Sequence, residues 1–308
     1  MEYTSFLTVC LSPALQKTLV IPGFYKNTVN RTSEYSFDIA GKGINTSRVL
    51  IQLGKTCRHL TCLGGTLRPL FLELSGRDNI DVEWVDSNSS IRFCYTLIEK
   101  DEKAVTEIVE EAEKVGEGTE ERLLEAFSNL IKKSKTIIIS GSKAAGFSSG
   151  LIPEMVMLAK KEGCRVILDV RGPDLLNSLP FFPDIIKPNL FEFISTFAPG
   201  LVSQNSIRLK REEIKKETAK IWAGLYEKFS SALVLTSGVE PVWYSDNGDL
   251  SEYAITSVEP LNTTGSGDAF TAGLASAIEE GAALREAVAE GARCGALNAG
   301  FLRPGVIK

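Results

Sequence analysis

Asn262-Thr-Thr-Gly-Ser-Gly-Asp-Ala-Phe270 is the stretch of sequence on which the interpretation of this chain depends. Gly265 and Gly267 allow a tight backbone turn that exposes successive N–H groups. A helix predicted over about 267–280 adds the positive end of its dipole, so the segment forms an anion site. Asp268 lies at the start of that helix, where a carboxylate is either an N-terminal cap or a base for a hydroxyl that attacks phosphorus. This segment alone leaves both roles open.

A second glycine-rich segment, Ala40-Gly-Lys-Gly-Ile-Asn-Thr-Ser-Arg48, precedes another predicted helix. Its backbone N–H groups, together with Lys42 and Asn45, are able to hold hydroxyls or a phosphate. The structural alternative is an ordinary glycine turn into a helix, with Asn45 in the first turn. The segment is not a Walker A loop, because the spacing GxxxxGK[ST] is absent.

Short apolar strands alternate with amphipathic helices along most of the chain. Strands are predicted at 6–11, 59–65 (with a glycine turn), 136–140, 165–170, 184–187 and 233–236. Helices are predicted at 46–53, 120–132, 153–163, 211–229, 267–280 and 283–299. This repeated alternation predicts an α/β fold with a mostly parallel sheet and helices on both faces.

Two stretches break this alternation. Residues 14–39 combine β-branched, aromatic and polar residues with turn signals, and residues 90–109 have the pattern of a hairpin. Both predict antiparallel strands outside the main sheet. We therefore expect a small β lid formed by 14–39 and 90–109. We expect the main α/β domain to comprise 1–13, 40–89 and 110–308.

The composition excludes several functional classes. The chain has 308 residues and a formal net charge of −5, from 34 basic and 39 acidic residues, which argues against a broadly basic nucleic-acid binder. There is no run of 18 apolar residues, so no membrane span is expected. The first residues lack the basic and apolar regions of a secretory signal, so we expect a cytoplasmic protein.

The histidine and cysteine content narrows the chemistry further. The chain has one histidine, His59, which rules out a multi-histidine zinc site. Its surroundings indicate a strand that enters a turn, so a catalytic role for His59 is not expected. The six cysteines form no CxxC pair, and most lie in apolar runs typical of reduced, buried cysteine in a cytoplasmic protein.

In this order and at this separation, the two glycine-rich segments resemble the GGKGxN and DTxGAGDxF signatures of the ribokinase-like (PfkB) carbohydrate kinases. Weaker matches lie in order between and around them: RFCYTL at 92–97, TEIVEE at 106–111, SGS at 140–142, LDV at 168–170, KPNLFE at 187–192 and LVLTSG at 233–238. The resemblance covers nearly the whole chain. It implies a central, mostly parallel sheet with helices on both faces and a small β-sheet lid over a sugar.

The nearest pattern within this family is that of the hexose-phosphate kinases, which include 1-phosphofructokinase and tagatose-6-phosphate kinase. Val29-Asn-Arg31 and Arg92-x-Cys94 favour the former. The implied reaction uses ATP and Mg²⁺ and converts fructose 1-phosphate to fructose 1,6-bisphosphate. Exposed lid strands also invite pairing between subunits, so a homodimer through the lid is expected.

The resemblance also assigns roles to individual residues. Asp268 would be the catalytic base, and the backbone N–H groups of Gly265, Ser266 and Gly267 would form an anion hole. The residues implied on the ATP side are Lys187, Asn189, Thr236, Gly238 and Asn298. Asn189 and Glu192 would organise Mg²⁺. The residues implied to hold the phosphosugar are Gln16, Gly41, Lys42, Asn45 and Arg92.

The chain departs from the family pattern at several positions. Gln16 replaces an aspartate that binds sugar hydroxyls in this group, and an amide brings no charge. The segment 140–146 lacks the two prolines of the family's SGSLPPG and adds Lys143. Pro241 replaces a glycine near the nucleotide, and Asn262 replaces the first aspartate of the second signature. The changes on the sugar side affect the choice of acceptor, while none of the departures alters the phosphoryl-transfer residues.

Three alternatives follow from these residues. Gln16 and Lys143 are compatible with a kinase for another sugar, for tagatose 6-phosphate or fructose 6-phosphate, or for a sugar acid. A non-catalytic sensor of sugar phosphates or nucleotides on the same fold is a second alternative, and the intact Asp268 segment argues against it. A Rossmann dehydrogenase fails because no GxGxxG follows the first strand.

Overall fold

The computed structural model describes residues 4–203, 206–256 and 258–308. Its helices are α1 (Lys42–Gln52), α2 (Arg68–Arg77), α3 (Thr119–Ile131), α4 (Leu151–Lys161), α5 (Gly172–Ser178), α6 (Leu190–Phe197), α7 (Arg211–Phe229), α8 (Ser266–Glu279) and α9 (Leu284–Ala299). Its strands are β1 (Thr4–Cys10), β2 (Ala14–Ile21), β3 (Glu34–Ala40), β4 (Cys57–Leu63), β5 (Asp81–Asp86), β6 (Arg92–Glu99), β7 (Ala104–Val109), β8 (Ser134–Ser140), β9 (Arg165–Asp169), β10 (Ile185–Ile186), β11 (Val202–Ser203), β12 (Ser206–Ile207), β13 (Ala232–Ser237), β14 (Glu240–Ser245) and β15 (Ser251–Tyr253).

The larger sheet confirms the predicted α/β fold. Within the described residues it has nine strands in the order β15-β14-β13-β10-β9-β8-β1-β4-β5. The pairs from β13 to β5 are parallel, while β14 and β15 pair antiparallel at one edge. None of the helices in the part of the chain that the structure describes is long and apolar enough to cross a membrane.

The strand β8 shows why the central strands are continuously apolar. Ile137 and Ile139 pack into the core beneath α3 and α4, whereas Ile138 packs on the opposite face with residues of α8 and α9. Side chains alternate between the faces of a strand, so a sheet covered by helices on both faces needs apolar residues at every position. Burying each isoleucine contributes roughly 1.5–3 kcal/mol.

The small sheet has the order β3-β2-β6-β7, and it is built from the two stretches predicted to form the lid. One of its faces is apolar: Leu15 and Ile39 pack with Ile44 of α1 and anchor the sheet to the main domain. The opposite face is polar, because Gln16 lies opposite Asp38 in the β2–β3 pair and both side chains share that face. Where the polar side chains of this face are buried, they need hydrogen-bond partners.

Several elements are not evident from the sequence pattern. The helix α2 buries few of its residues, chiefly Phe71 and Leu74, so it has no clear apolar stripe. The strand predicted over 184–187 is reduced to two paired residues, Ile185–Ile186. Pro188 follows closely and has no backbone N–H to continue a ladder, which explains the early end.

Candidate active site

Two of the predicted site residues, Lys187 and Thr236, lie at the carboxyl ends of the central strands beside Asp169, which was not predicted. Asp169 ends β9, Lys187 follows β10, and Thr236 lies near the end of β13. In open parallel sheets this edge is where ligands bind. The first turns of α1 and α8 reach the same place, since the side chain of Asn45 on α1 contacts Asp268 on α8.

The glycine turn before α8 requires glycine at its first position. Gly265 has φ 83°, a left-handed conformation that other residues rarely adopt. A Cβ atom there would also lie 2.8 Å from Cβ of Pro304, so there is no room for a side chain. The turn is braced from behind by Asn298, whose Nδ2 donates to the carbonyl of Thr264 at 3.0 Å and to Oγ of Ser266 at 3.2 Å. The N–H groups of the first helical turn are thereby held in one orientation.

Asp268 is a buried carboxylate in the first turn of α8. Nδ2 of Asn45 donates a hydrogen bond to its Oδ2 at 2.8 Å, and within the described residues α8 has no side-chain cap. Burial raises the pKa of Asp268 to about 7; the nearby Lys42 opposes that rise and the negative charge of Asp169 adds to it. A carboxyl group with a pKa near neutrality is suited to exchanging a proton during a reaction.

Asp169 organises the positive charge of the site, and sequence analysis did not single it out. Its Oδ1 lies 2.8 Å from Nζ of Lys42, and its Oδ2 lies 3.1 Å from Nζ of Lys187 and accepts a hydrogen bond from Thr271 at 3.1 Å. Burial alone would raise the pKa of Asp169, but the two ammonium groups outweigh it and lower that pKa to about 2. The sequence feature that could have identified Asp169 is its position: it is the polar residue at the end of a buried apolar strand.

Lys42 of α1 contacts carboxylates from two other elements, Asp169 of β9 and Glu192 of α6. Its ammonium lies 2.8 Å from Asp169 and 3.4 Å from Oε1 of Glu192, and about a third of its side chain (34%) remains exposed. Burial alone would lower the pKa of Lys42, but the carboxylates of Asp169 and Glu192 outweigh it and raise that pKa, so the group is charged. An exposed, fixed cation at this edge of the sheet is available to an anionic ligand.

Asn189 and Glu192 form a reciprocal capping box at the start of α6. Oδ1 of Asn189 accepts from the N–H of Glu192 at 2.8 Å, and Oε2 of Glu192 accepts from the N–H of Asn189 at 2.9 Å. Oε1 of Glu192 accepts a hydrogen bond from Nζ of Lys42 at 3.4 Å. Within residues 4–203, 206–256 and 258–308, no cluster of three or more His, Cys, Asp or Glu side chains is placed to hold a metal ion. This donor set fits a magnesium ion that keeps its waters and takes other ligands from phosphate oxygens.

An apolar cleft of about 260 Å³ opens between β13, β14 and the helices α8 and α9. Thr236 and Gly238 line it on the strand side, and Ser266 and Gly267 line it at the glycine turn. The remaining lining is largely apolar, contributed by Val239, Val242, Phe270, Ala292, Ala296 and Ala299. The other three predicted ATP-side residues do not line it: Lys187 and Asn298 are buried, and Asn189 lies at the start of α6.

The polar face of the small sheet is turned toward the glycine turn, because Glu107 of β7 accepts a hydrogen bond from Oγ1 of Thr264 at 3.2 Å. Nε2 of Gln16 donates to Oγ1 of Thr96 at 2.6 Å. Three further polar atoms on this face are buried without a hydrogen-bond partner among the residues that the structure describes: Oγ1 of Thr18, Oγ of Ser36 and Oδ2 of Asp38. Buried polar atoms normally have partners, so these three are exceptions among the described residues, and the other oxygen of Asp38 is paired with Arg303.

Gly41 and Arg92 lie where the small sheet joins the main domain. Gly41 has φ 126° and a Cβ atom on it would lie 2.8 Å from Sγ of Cys10, which explains the glycine. Arg92 donates to the carbonyls of Glu110 at 2.9 Å and of Ser12 at 3.2 Å. The residue as a whole is half-buried, and its Nε is buried without a hydrogen-bond partner among the described residues.

His59 has the structural role expected of it. Its side chain is buried beneath α1, and its Nδ1 lies 2.7 Å from Oγ1 of Thr8. Burial lowers the pKa of His59 to about 3, so the ring is neutral near physiological pH. The cysteines are all free thiols, as expected.

The fold and this site define a class of enzymes, the carbohydrate kinases. Residues 15–301 match the model of the pfkB family carbohydrate kinases. The chain belongs to that family, as the two glycine-rich segments predicted.

Solved structures with the same fold include two phosphofructokinases and a ribokinase. Phosphofructokinase-2 from Escherichia coli, in complex with fructose-6-phosphate, is 20% identical with a TM-score of 0.83, and the match covers 96% of this chain and 94% of that one. A "Possible 1-phosphofructokinase" from Thermotoga maritima is 24% identical with a TM-score of 0.84, over 97% and 93% of the two chains. Ribokinase from Thermotoga maritima is 18% identical with a TM-score of 0.73, over 98% and 95%. At these identities the likeness establishes the ribokinase-like fold.

Proposed function

We propose that this protein transfers the γ-phosphoryl group of ATP to a phosphorylated ketohexose, with fructose 1-phosphate as the acceptor and fructose 1,6-bisphosphate as the product. The observation that carries the proposal is the buried carboxylate of Asp268 beside the Gly265–Gly267 turn. Its pKa of about 7 and its hydrogen bond from Asn45 distinguish it from a simple helix cap. The family itself accounts for the carbohydrate-kinase chemistry.

In the proposed reaction, Asp268 is the general base. The 6-hydroxyl of the acceptor donates its proton to the carboxylate as its oxygen forms a bond to the γ-phosphorus, and the bond from that phosphorus to the β-phosphate oxygen breaks to release ADP. The pKa of about 7 leaves a substantial fraction of the group ionised at neutral pH. A base whose pKa lies near the working pH balances availability against basicity.

The transferred phosphoryl group lies at the N-terminus of α8 in this proposal. The N–H groups of Gly265, Ser266 and Gly267 stabilise the negative charge that develops on its oxygens, helped by the helix dipole. Lys42 adds positive charge where the nucleotide and acceptor phosphates approach each other. Asn189 and Glu192 would hold a magnesium ion through water, and the ion when bound would neutralise charge on the ATP phosphates.

The cleft between β13 and α9 is assigned to the adenosine part of ATP. Its largely apolar lining suits a purine, and the glycine turn at its inner end places the phosphates beside Asp268. Thr236 and Gly238 border the nucleotide. Lys187 acts through Asp169, and Asn298 acts by bracing the glycine turn, because both side chains are buried and do not line the cleft.

The acceptor is assigned to the space beneath the polar face of the small sheet. Gln16, together with Thr18, Ser36 and Asp38, makes this face of the small sheet polar, which suits a sugar. Gly41 lets the backbone approach, and Asn45 lies beside the base. Closure of this sheet over the sugar would exclude water and limit hydrolysis of ATP.

The phosphate that the acceptor already carries is assigned to Arg92. This guanidinium is at the mouth of the acceptor space, and its two carbonyl partners fix its position without neutralising its charge. A planar guanidinium is well matched to a phosphate. The complex of phosphofructokinase-2 with fructose-6-phosphate, on the same fold, supports a phosphorylated ketohexose as the acceptor class.

We also propose a homodimer formed through the small sheet. Its outer strands β3 and β7 leave open edges, and Tyr35, Ile108 and Val109 are exposed there at 56%, 54% and 49%. Open strand edges with exposed apolar side chains favour pairing with a second chain.

The test of the proposed function is the rate of ADP formation by Asp268→Asn with ATP, Mg²⁺ and fructose 1-phosphate. Because general-base assistance is worth roughly 10²–10⁴-fold, kcat should fall by at least about 100-fold, with KM changed only a few-fold. Asp246→Asn is the matched control, since this exposed aspartate lies in a turn away from the site. Near-normal kcat in Asp268→Asn would demote the residue to a helix cap and remove the proposed mechanism.

A further inference from the structure

Arg48 is a buried cation one turn along α1 from Asn45, and nothing in the proposed chemistry uses it. Its side chain is only 3% exposed. Nη1 donates to Oδ1 of Asn45 at 3.0 Å and to the carbonyl of Pro304 at 2.8 Å. Nη2 donates to the carbonyl of Ile39 at 3.0 Å, and Nε donates to Asp78 at 2.9 Å. The guanidinium is therefore fixed on four sides.

The contact between Arg48 and Asn45 determines which way the amide of Asn45 faces. A guanidinium has only hydrogen-bond donors, so the atom that faces Arg48 must be the carbonyl oxygen of Asn45. The amide nitrogen of Asn45 then points the other way, toward Oδ2 of Asp268 at 2.8 Å. Without Arg48 the amide could rotate by half a turn and place an oxygen against the carboxylate.

We propose that Arg48 is a positioning residue for phosphoryl transfer: it locks the side-chain amide of Asn45 so that the amide donates its N–H to Asp268. The inference rests on the proposed function, in which Asp268 is the base. A donated N–H favours the ionised carboxylate, which is the form that accepts a proton. An amide oxygen in the same place would disfavour it.

The C-terminal segment holds this arrangement rigid. Gly305 packs so closely that a Cβ atom there would lie 3.0 Å from Nη1 of Arg48 and 3.0 Å from Cα of Asn45. Asp78 is shared, because it also pairs with Arg303 at 2.7 Å. The same segment contacts the glycine turn through Pro304. The segment 303–305 therefore supports two parts of the site: the amide of Asn45, which faces Asp268, and the glycine turn that forms the anion hole.

Other charged groups also act on Asp268 and must be kept constant in any test. Lys42 of α1 and Lys187 after β10 favour its ionised form, while Asp169 of β9 disfavours it, and the thiol of Cys10 lies near it. Around Arg48 itself the charged neighbours are Asp78, Arg303 and Asp38.

A variant without the donors tests the proposal. Arg48→Met keeps an unbranched apolar stem and removes every hydrogen bond. Gln52→Met is the matched control: Gln52 lies one turn further along α1 and holds the same C-terminal segment, through the carbonyl of Gly305 at 2.8 Å and the N–H of Ile307 at 2.9 Å, but does not contact Asn45. The titration of the Asp268 carboxyl is followed by ¹³C NMR of aspartate-labelled protein, beside the pH dependence of kcat.

In Arg48→Met the acid dissociation constant of Asp268 should fall tenfold, so its pKa should rise. A tenfold change is roughly the effect of losing one hydrogen bond to a charged group. At about pH 7 kcat then falls about fivefold, and the deficit almost vanishes by about pH 9. Gln52→Met should lose thermal stability without either change. If Arg48→Met does not fold, Arg48→Lys, which keeps one charged donor, is measured against the same control and should show a smaller fall.

An unchanged titration of Asp268 in the folded Arg48 variant, with only the melting temperature lowered, would overturn the proposal and leave Arg48 a structural residue. The NMR titration does not depend on turnover. If Asp268→Asn were fully active, the proposed function would fail, while the titration would still report whether Arg48 acts on the carboxylate through Asn45.

Discussion

Replacing Asp268 by asparagine should make the protein more stable at alkaline pH while removing most of its activity. The carboxyl has an ordinary pKa of 3.8 in an unfolded chain and a pKa of about 7 in the folded protein, because burial disfavours its charge. The folded state therefore binds this proton more tightly, and the free energy of unfolding falls as the pH rises from about 4 to about 7. Asparagine does not carry this cost.

The size of the effect follows from the difference between the two pKa values. A difference of about three pKa units lowers the free energy of unfolding by at most about 4 kcal/mol. About 3 kcal/mol of this loss occurs between about pH 5 and about pH 8.5. The assay is urea denaturation of the wild-type protein and of Asp268→Asn at both pH values. The stability of the variant relative to wild type should be higher at the alkaline pH by roughly 1–3 kcal/mol.

Asp169→Asn provides a control of opposite sign. The pKa of Asp169 is lowered to about 2, so its stabilising contribution is present above about pH 4 and is lost as the pH falls toward 2. This variant should be less stable than wild type at neutral pH, because Lys187 keeps its charge and loses its buried partner. The reasoning would be refuted if the difference in free energy of unfolding between Asp268→Asn and wild type did not change with pH. Burial of the ionised carboxylate would then not destabilise the folded protein.

Three further outcomes are expected. Arg92→Ala should raise KM for a phosphorylated ketohexose by tenfold or more and leave KM for the unphosphorylated sugar within about threefold, as steady-state kinetics will show; equal changes would remove Arg92 from the phosphate. Gly265→Ala should lower kcat at least about tenfold and destabilise the fold by roughly 1–3 kcal/mol in thermal melts, because of the positive φ and the contact with Pro304; normal kinetics would contradict a rigid anion hole. Sedimentation at micromolar concentration should show a dimer that Ile108→Lys converts to monomer, and a wild-type monomer would exclude pairing through the small sheet.

The order of the central elements could be predicted because burial leaves a local signal. The run Thr136–Ser140 is apolar at each central position, since both faces of β8 are covered, and the helix Arg211–Phe229 has the predicted bounds. The turns at Gly41 and Gly265 could also be predicted, because a positive φ and close packing both require glycine. The positive φ is a local constraint, whereas the close approaches of Gly41 to Cys10 and of Gly265 to Pro304 join residues that are far apart in the sequence.

Contacts between distant residues could not be predicted in this way. Asp169 meets Lys42 across 127 positions of the chain, and Asn45 meets Asp268 across 223. No periodic pattern encodes such a pair, so the central role of Asp169 emerges only when the strands are assembled. Arg48 and Asn45, by contrast, are three residues apart on α1, a spacing that places both side chains on one face of the helix. Lys42 was assigned to the sugar phosphate, and the structure adds two carboxylate partners that pattern reasoning did not foresee.

The most direct test of the account is an assay of ADP release with ATP and Mg²⁺ across a panel of acceptors: fructose 1-phosphate, fructose 6-phosphate, tagatose 6-phosphate, fructose and several sugar acids. The account predicts that fructose 1-phosphate is used best, with kcat/KM above about 10⁴ M⁻¹s⁻¹, the ordinary range for an enzyme on its own substrate. Efficient transfer to an unphosphorylated sugar or a sugar acid, with phosphohexoses poor, would contradict the proposed acceptor. Binding of ATP with no transfer to any member of the panel would contradict the catalytic claim itself.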